Sequence, residues 1–283
     1  RNCVLIKNSA GTTAAAGGGG GGVWMSGGLV HDCDIIANTG RVGNDDGGGG
    51  ARLSGGTISN CYVYANLNVG AGCGGGIALM KNTALAVDCT VVGNTAYYAG
   101  GGVWAYPGRV YRCVMTGNRV TNNSNGGGGG GLRDGGILDA CVVTNNTGHG
   151  VYYRNGTVRN SLVARNSSAG VIPSVSGGQI NNCTLADNGG VGVQLDASGT
   201  TIRNTILHGN SAIYGGGNLA STLWYNNLTP TAIPGGAVLS GNIVGDPLFV
   251  SSSTGDYRVQ AVSPAIDAGV DLASPGVVED FAG

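Results

Sequence analysis

The feature that most constrains this chain is a repeated seven-residue frame, Asn-Cys-x-φ-x-x-Asn, where φ is aliphatic or Met; it is complete at residues 60–66. Successive copies begin 30, 28, 28, 24, 28, 20, 22 and 22 residues apart. Repeats of this length, built from short apolar runs, are typical of a solenoid. The second and seventh frame positions are Cys3/Asn8, Cys33/Asn38, Cys61/Asn66, Cys89/Asn94, Cys113/Asn118, Cys141/Asn146, Ser161/Asn166, Cys183/Asn188 and Thr205/Asn210.

Each repeat contains three stretches of strand length separated by Gly, Asn, Asp or Ser, as at 23–25, 29–33 and 34–38. We therefore predict an all-β fold, a right-handed parallel β-helix of about nine to ten coils with three parallel sheets. Residues 1–226 are expected to form the coils. Residues 227–283 are expected to form a C-terminal cap, because an open solenoid end exposes its core. The predicted coil starts are Val23, Ala51, Ile77, Val103, Leu132, Val151, Val171 and Val193.

Stacking at about 4.8 Å per coil predicts two internal ladders. The cysteine ladder is expected to consist of small buried thiols, although oxidation of neighbouring pairs stays open because their Cα spacing is compatible with a disulfide. The asparagine ladder is expected to bond the turn backbone and itself. Cys73, in a glycine-rich loop, is predicted to be a free thiol outside the ladder. The ladder members are Cys3, Cys33, Cys61, Cys89, Cys113, Cys141, Cys183, Asn38, Asn66, Asn94, Asn118, Asn146, Asn166, Asn188 and Asn210.

Charge and hydropathy exclude two classes of partner. Charged residues are 10% of the chain and the formal net charge is -1, so no field that would attract nucleic acid or an anionic membrane is expected. No apolar run reaches the roughly 18 residues of a membrane helix. The first residues already lie inside a repeat and no signal peptide precedes them, so we expect a fragment or processed product of a longer chain.

Three motifs near the end carry a family resemblance: Asp-Pro-Leu-Phe at 246–249, Gly-Asp-Tyr-Arg-Val at 255–259 and Ser-Pro-Ala-Ile-Asp-Ala-Gly at 263–269. This ending resembles bacterial secreted β-helix proteins of the choice-of-anchor Q type. The upstream Gly-Gly-Gly-φ and φ-x-x-Asn repeats look like those of polymorphic outer-membrane proteins, a family of surface adhesins. The resemblance implies a β-helix exported to the bacterial cell surface or medium within a larger polypeptide. It assigns no catalytic residue.

Catalytic and metal motifs are weak. Asp45-Asp46 and Gly148-His149-Gly150 resemble fragments of the polygalacturonase pattern, but several coils separate them and the remaining motifs are missing. Inverting hydrolysis needs an acid and a base close together, so we assign no catalytic residue. Asp45 and Asp46 are weak Ca²⁺ candidates, with a solvated turn as the simpler interpretation. No other cofactor is expected, and His31 and His208 show no partner in the sequence.

The outward position of the first strand of each coil is the best candidate for a binding surface. Aromatic rings stack on sugars, and Arg pairs with carboxylate or sulfate. We predict a ligand-binding column for an anionic glycan, although such residues also suit an ordinary exposed strand. The proposed ligand-binding members are Trp24, Arg52, Trp104, Arg133 and Tyr152.

The sequence favours a noncatalytic extracellular or cell-surface protein, structural or adhesive, that assembles end to end into fibres or binds a polysaccharide or other surface glycan. The alternatives are a polysaccharide lyase or glycoside hydrolase acting on an acidic glycan, and a glycan-binding module of a larger enzyme.

Overall fold

The computed structural model describes residues 1–11, 19–40, 47–69, 72–122, 127–133, 135–217, 219, 221–235 and 237–270. Within these ranges the chain winds into a parallel solenoid with three main sheets, so the predicted right-handed parallel β-helix is confirmed. The described helical content is one 3-10 turn, Ser252–Thr254. No described helix is long and apolar enough to cross a membrane.

Each coil contributes one short strand to each main sheet. The first sheet comprises Val23–Met25, Ala51–Leu53, Ile77–Leu79, Val103–Ala105, Gly127–Arg133, His149–Arg154, Val171–Pro173, Val193–Gln194 and Tyr214–Gly215. The second comprises Leu29–His31, Gly56–Ser59, Ala84–Val87, Arg109–Tyr111, Ile137–Asp139, Thr157–Arg159, Gln179–Asn181, Thr201–Arg203, Leu223–Tyr225 and Val238–Ser240. The third comprises Val4–Ile6, Asp34–Ile36, Tyr62–Tyr64, Thr90–Val92, Val114–Thr116, Val142–Thr144, Leu162–Ala164, Thr184–Ala186, Ile206–His208, Leu228–Thr229 and Ile243–Val244. A small fourth sheet comprises Thr39–Gly40, Leu67–Asn68, Thr95–Ala96 and Arg119–Val120.

The alternation of each strand decides which side chains form the core. In the third sheet the middle residue points inward, so Ile35, Val63 and Val91 stack in register and are fully buried. In the first sheet the outer two residues point inward, as Ala51 and Leu53 do. Coils of unequal length keep this register because their extra residues lie in the loops.

The asparagine ladder runs through the third corner of the solenoid. Asn66 Oδ1 accepts hydrogen bonds from the backbone N and Nδ2 of Asn38 at 2.8 and 3.0 Å. Its own Nδ2 donates to the Ile35 carbonyl at 2.8 Å and to Asn94 Oδ1 at 2.9 Å. The same pattern continues along the ladder, so its buried amides are paired without solvent.

The cysteine ladder follows a hydrogen-bonding rule as well as a size rule. Cys113 Sγ donates to the Tyr111 carbonyl at 3.4 Å and accepts from the Cys89 backbone N at 3.5 Å. Ser161 Oγ makes the same two contacts, donating at 2.6 Å and accepting at 3.0 Å. The position therefore requires a small donor-acceptor side chain, and none of the described cysteines forms a disulfide. Cys3 is exposed at the end of the ladder, and Cys73 is buried in a satellite cluster.

A tight left-handed turn joins the second sheet to the third in each coil. Its central residue has a positive φ, such as 54° at Asp32 and 52° at Asn182, a conformation in which Asn and Asp are enriched. These turns stack into one outward row of side chains, here called the corner column. Its members from coil to coil are Asn2, Asp32, Asn60, Asp88, Arg112, Ala140, Asn160, Asn182, Asn204 and Asn226.

A C-terminal cap formed by residues 227–283 stays a prediction. Parallel pairing continues to Ile243–Val244, beyond the expected boundary at 226. The following hairpin, Phe249–Ser251 with Asp256–Val259, is antiparallel and lies on the outer face of the third sheet. Tyr257 packs there against Ala164 and Ala186, whose small side chains leave room for the ring. The described part of this segment therefore packs against the outer face of the third sheet. Residues 271–283 lie outside the described ranges.

Candidate functional site

The predicted binding column contains one register error. Trp104 pairs with Gly131, which in turn pairs with Tyr152, so Gly131 occupies the place expected for Arg133. Arg133 lies two residues further along the strand and pairs with Arg154. The glycine is required because a Cβ on Gly131 would lie 2.5 Å from the Trp104 ring. The glycine run is therefore part of the strand itself, which the sequence pattern did not show.

The rest of the column does not form a continuous surface. Trp24 is 53% exposed, but Trp104 is only 4% exposed. Trp104 is covered by a cluster that includes Cys73 and Ala99, with Tyr106 packed against it. Of the predicted members, Trp24, Arg52 and Tyr152 keep some exposure, and a ligand-binding role for them stays a prediction.

The weaker catalytic and metal candidates are not brought together. Asp45 and Asp46 lie outside the described residues. His149 Nδ1 accepts from the Ala169 backbone N at 3.2 Å, and burial lowers the pKa of its imidazole. Among the residues that the structure describes, no three His, Cys, Asp or Glu side chains are placed to hold a metal ion.

The structure instead forms a groove of about 960 Å³ between the solenoid and the C-terminal hairpin, here called the lateral groove. Its floor is the outer face of the third sheet, one wall is the corner column, and the other wall is the hairpin. This volume is within the range of ligand-binding clefts. The floor is Leu162, Thr184 and Ile206, the corner wall is Asn160, Asn182 and Asn204, and the hairpin wall is 254–259.

The corner wall is a row of pre-oriented amides. Asn204 Nδ2 donates to Asn182 Oδ1 at 2.9 Å, and Asn182 Nδ2 donates to Asn160 Oδ1 at 3.1 Å. Asn160 Nδ2 in turn donates to Asp139 at 2.8 Å. A side-chain amide has two N–H donors and two acceptor lone pairs. Asn160 is buried, and Asn204 also exchanges hydrogen bonds with the Val270 backbone. The described contacts of Asn182 leave part of its capacity for a ligand in the groove.

The hairpin wall carries a fixed ion pair at its rim. Arg258 donates from Nε and Nη2 to the two carboxylate oxygens of Asp256 at 2.9 and 2.6 Å. These hydrogen bonds lower the pKa of Asp256 to about 2 and raise the pKa of Arg258. Both groups are therefore charged at neutral pH.

Tyr257 anchors the hairpin to the solenoid. Its Oη donates to Asp187 Oδ2 at 2.8 Å and accepts from Arg165 Nε at 3.1 Å. Arg165 also donates to the Ser252 carbonyl. Burial and the Asp187 carboxylate raise the pKa of Tyr257 to about 12, so its phenol stays protonated at neutral pH. This network fixes the width of the groove.

The chemistry of the described lining favours binding over hydrolysis. Asp256 is the only carboxylate among the described residues that line the groove. Glycoside hydrolysis needs two carboxyl groups, one with a raised pKa, and the pKa of Asp256 is lowered. Neutral amides, an apolar floor and the N–H donors of Arg258 that Asp256 does not occupy can still hold the hydroxyls, ring faces and carboxylates of sugars.

This groove could not be predicted from the sequence because its two walls are distant in the chain. Asp187 and Tyr257 are 70 residues apart. One signal was present, since Asn160, Asn182 and Asn204 recur 22 residues apart directly before the ladder position of the frame.

A family model for the right-handed beta helix region matches residues 75–229, which is more than half of the chain. The chain belongs to the right-handed β-helix family. No curated protein matches the sequence. Among solved structures, this β-helix resembles the pectate lyase Pel9A with a TM-score of 0.50 and 14% identity, over 99% of this chain and 95% of that one.

A second similar structure is the A-module of the mannuronan C-5 epimerase AlgE6 from Azotobacter vinelandii, with a TM-score of 0.36 and 15% identity. That alignment covers 77% of this chain and 74% of the epimerase chain. At such identities the likeness to the pectate lyase establishes a shared fold.

Proposed function

We propose that this β-helix protein is an extracellular protein that binds a polysaccharide in the lateral groove without cleaving the polymer. The observation that carries the proposal is the row of stacked amides along a groove of about 960 Å³. Sugar hydroxyls pair well with amides, and the apolar faces of sugar rings suit the floor formed by Leu162 and Ile206.

A polymeric ligand suits the geometry because the groove runs along the solenoid axis. The amides recur with the coils, at the strand spacing of about 4.8 Å. Arg258 at the rim uses two of its five N–H donors on Asp256, and the remaining donors add a preference for sugars that carry a carboxylate. An adhesive protein and a glycan-binding module of a larger enzyme would both use the same groove.

The second candidate is a polysaccharide lyase or glycoside hydrolase that acts on an acidic glycan. Its support is the solenoid shared with a pectate lyase along nearly the whole chain. Its catalytic groups would have to come from outside the described groove lining, for example from Asp45 and Asp46.

The test measures retention on immobilised neutral and acidic polysaccharides, together with the release of new chain ends. Asn182→Gly and Arg258→Gln are the test variants, and Asn155→Gly is the matched control. Asn155 is also an asparagine with a positive φ, 55° against 52° at Asn182, but it does not line the groove. Glycine tolerates this conformation, so the fold should be kept.

We expect the protein to be retained on the polysaccharide without releasing products. Asn182→Gly should lower the affinity about tenfold or more, which corresponds to about 1.4 kcal/mol in the free energy of binding. Arg258→Gln should weaken retention on acidic polymers only. Equal retention by Asn182→Gly and Asn155→Gly would refute the groove as the site. Release of chain ends would favour the enzyme.

A further inference from the structure

Two side chains on the outer face of the second sheet become neighbours through the coil register. His31 pairs directly with Ser59, 28 residues later, and both side chains point outward. His31 Nδ1 lies 2.7 Å from Ser59 Oγ, and His31 Nε2 lies 3.0 Å from Asp32 Oδ2. A hydroxyl, an imidazole and a carboxylate therefore form one hydrogen-bonded chain.

The surrounding contacts decide the tautomer of His31. A carboxylate only accepts, so Nε2 carries the proton that faces Asp32, and the Nδ1 lone pair is left to accept the Ser59 hydroxyl proton. Asp32 is held in turn by Asn60 Nδ2 at 2.6 Å. This is the order of roles that activates a serine: nucleophile, base, and a group that orients the base.

The local backbone explains how adjacent residues of the chain can make this contact. Asp32 sits in the left-handed corner turn with a φ of 54°, which brings its carboxylate back toward the preceding imidazole. The side chains of His31 and Asp32 are 32% and 27% exposed, so a ligand can reach them. Asp32 also lies 3.7 Å from Arg1 Nε. Further along, Asp88 binds Arg112 at the corner and Asp139 binds Arg159 on the second sheet, and neither pair includes a histidine.

We propose that Ser59, His31 and Asp32 form an acyl-transfer site that cleaves esters of small acyl groups on an exposed substrate. Ser59 Oγ attacks the ester carbonyl carbon while His31 Nδ1 takes the hydroxyl proton. The bond from carbon to the alcohol oxygen breaks, and His31 returns the proton to the leaving alcohol. Water then adds to the Ser59 acyl ester with His31 again as base, which releases the acid and restores the serine.

The site should be slow, because the nearby backbone amides are already used by the solenoid. Asp32 N donates to the Ser59 carbonyl at 3.2 Å, and Asn60 N donates to the Val87 carbonyl at 3.1 Å. Donors aimed at the developing oxyanion are usually the largest catalytic contribution. We therefore expect covalent labelling of Ser59 to be easier to detect than turnover.

The experiment treats the whole chain with a fluorophosphonate probe and with p-nitrophenyl acetate, and maps the labelled residue by mass spectrometry. The variants are Ser59→Ala, Ser59→Cys and His31→Gln. Thr57→Ala is the matched control, because Thr57 lies on the same strand and face as Ser59 but outside the hydrogen-bonded chain. The melting temperature of each variant checks the fold.

We expect labelling at Ser59, loss of labelling in Ser59→Ala, and a fall of about 100-fold in His31→Gln, the usual contribution of a general base. Ser59→Cys should restore reactivity toward a thiol-directed probe, with the same dependence on His31. Thr57→Ala should match the wild type. Absence of label at Ser59, or equal labelling in His31→Gln, would overturn the proposal.

Discussion

Removing one asparagine from the middle of the internal ladder should destabilise the solenoid far more than removing one from its end. Asn118 is fully buried, and its Oδ1 accepts from both the backbone N and Nδ2 of Asn94, each at 3.0 Å. Its Nδ2 donates to the Val91 carbonyl at 2.9 Å. Asn8 is exposed, and its side chain makes a single described bond, to Asn38 Oδ1 at 2.9 Å.

The size of the loss in stability follows from the polar groups that Asn118→Ala leaves without hydrogen-bond partners. Asn118→Ala leaves the buried Asn94 N–H unpaired, at a cost of about 1–3 kcal/mol. It also removes three side-chain hydrogen bonds, to Asn94 Nδ2, the Val91 carbonyl and Asn146 Oδ1, worth about 1 kcal/mol each. The expected loss in the free energy of unfolding is therefore about 4–6 kcal/mol. Asn8→Ala should cost about 1 kcal/mol or less, since water can replace its bond.

Urea unfolding followed by tryptophan fluorescence measures this difference, because Trp224 is fully buried in the core and reports on its exposure. The comparison uses the same substitution at both sites, so intrinsic effects of alanine largely cancel. Equal losses for Asn118→Ala and Asn8→Ala would show that water replaces the hydrogen bonds of the internal ladder, which would refute the expected difference in the free energy of unfolding.

Three further predictions concern the thiols and the hairpin. Cys113→Ser should change the free energy of unfolding by about 1 kcal/mol or less, whereas Cys113→Ala should lower it by about 1–3 kcal/mol. The reason is that only serine keeps a hydrogen-bond donor and acceptor at this position. Urea unfolding of the two variants measures the difference. Ellman's reagent should modify exposed Cys3 in the folded protein but not Cys141, whose pKa burial raises to about 12. The raised pKa of Tyr257 favours the neutral phenol in the folded state. Hairpin docking should therefore be complete below about pH 10, the usual pKa of tyrosine. It should be lost as the pH rises through about 12. Limited proteolysis against pH measures this loss, and Tyr257→Phe should remove the transition; an unchanged profile would contradict the role of the Asp187 contact.

The frame predicted the coils well because one physical requirement repeats in each of them. A stacked coil needs an apolar residue at the centre of the third strand and a self-pairing amide at the corner, so Val63 and Asn66 are visible in the sequence alone. Loop lengths are not constrained in the same way. The glycine run at 127–131 therefore gave a wrong register for Arg133, and the loops that bury Trp104 could not be placed.

The position of the C-terminal hairpin could not be predicted from the sequence for a different reason. Its aromatic residues predict that it covers an apolar surface, but the sequence does not show which surface is available. The outer face of the third sheet at Ala164 and Ala186 is apolar and shallow, and it can accept the ring of Tyr257. Because the hairpin lies there, the solenoid gains a groove that no single repeat contains.

Chemistry in a solenoid arises between equivalent positions of neighbouring coils, and such pairs have no signature within one stretch of sequence. His31 and Ser59 belong to separate repeats that each look structural, yet the parallel register places their polar atoms 2.7 Å apart. The amides of Asn160 and Asn182 meet in the same way. Because the core residues of the frame fix the register, residues on the outer face can be substituted while the fold is kept. A functional site in this chain is therefore best sought among pairs of outward-facing residues that lie one coil apart.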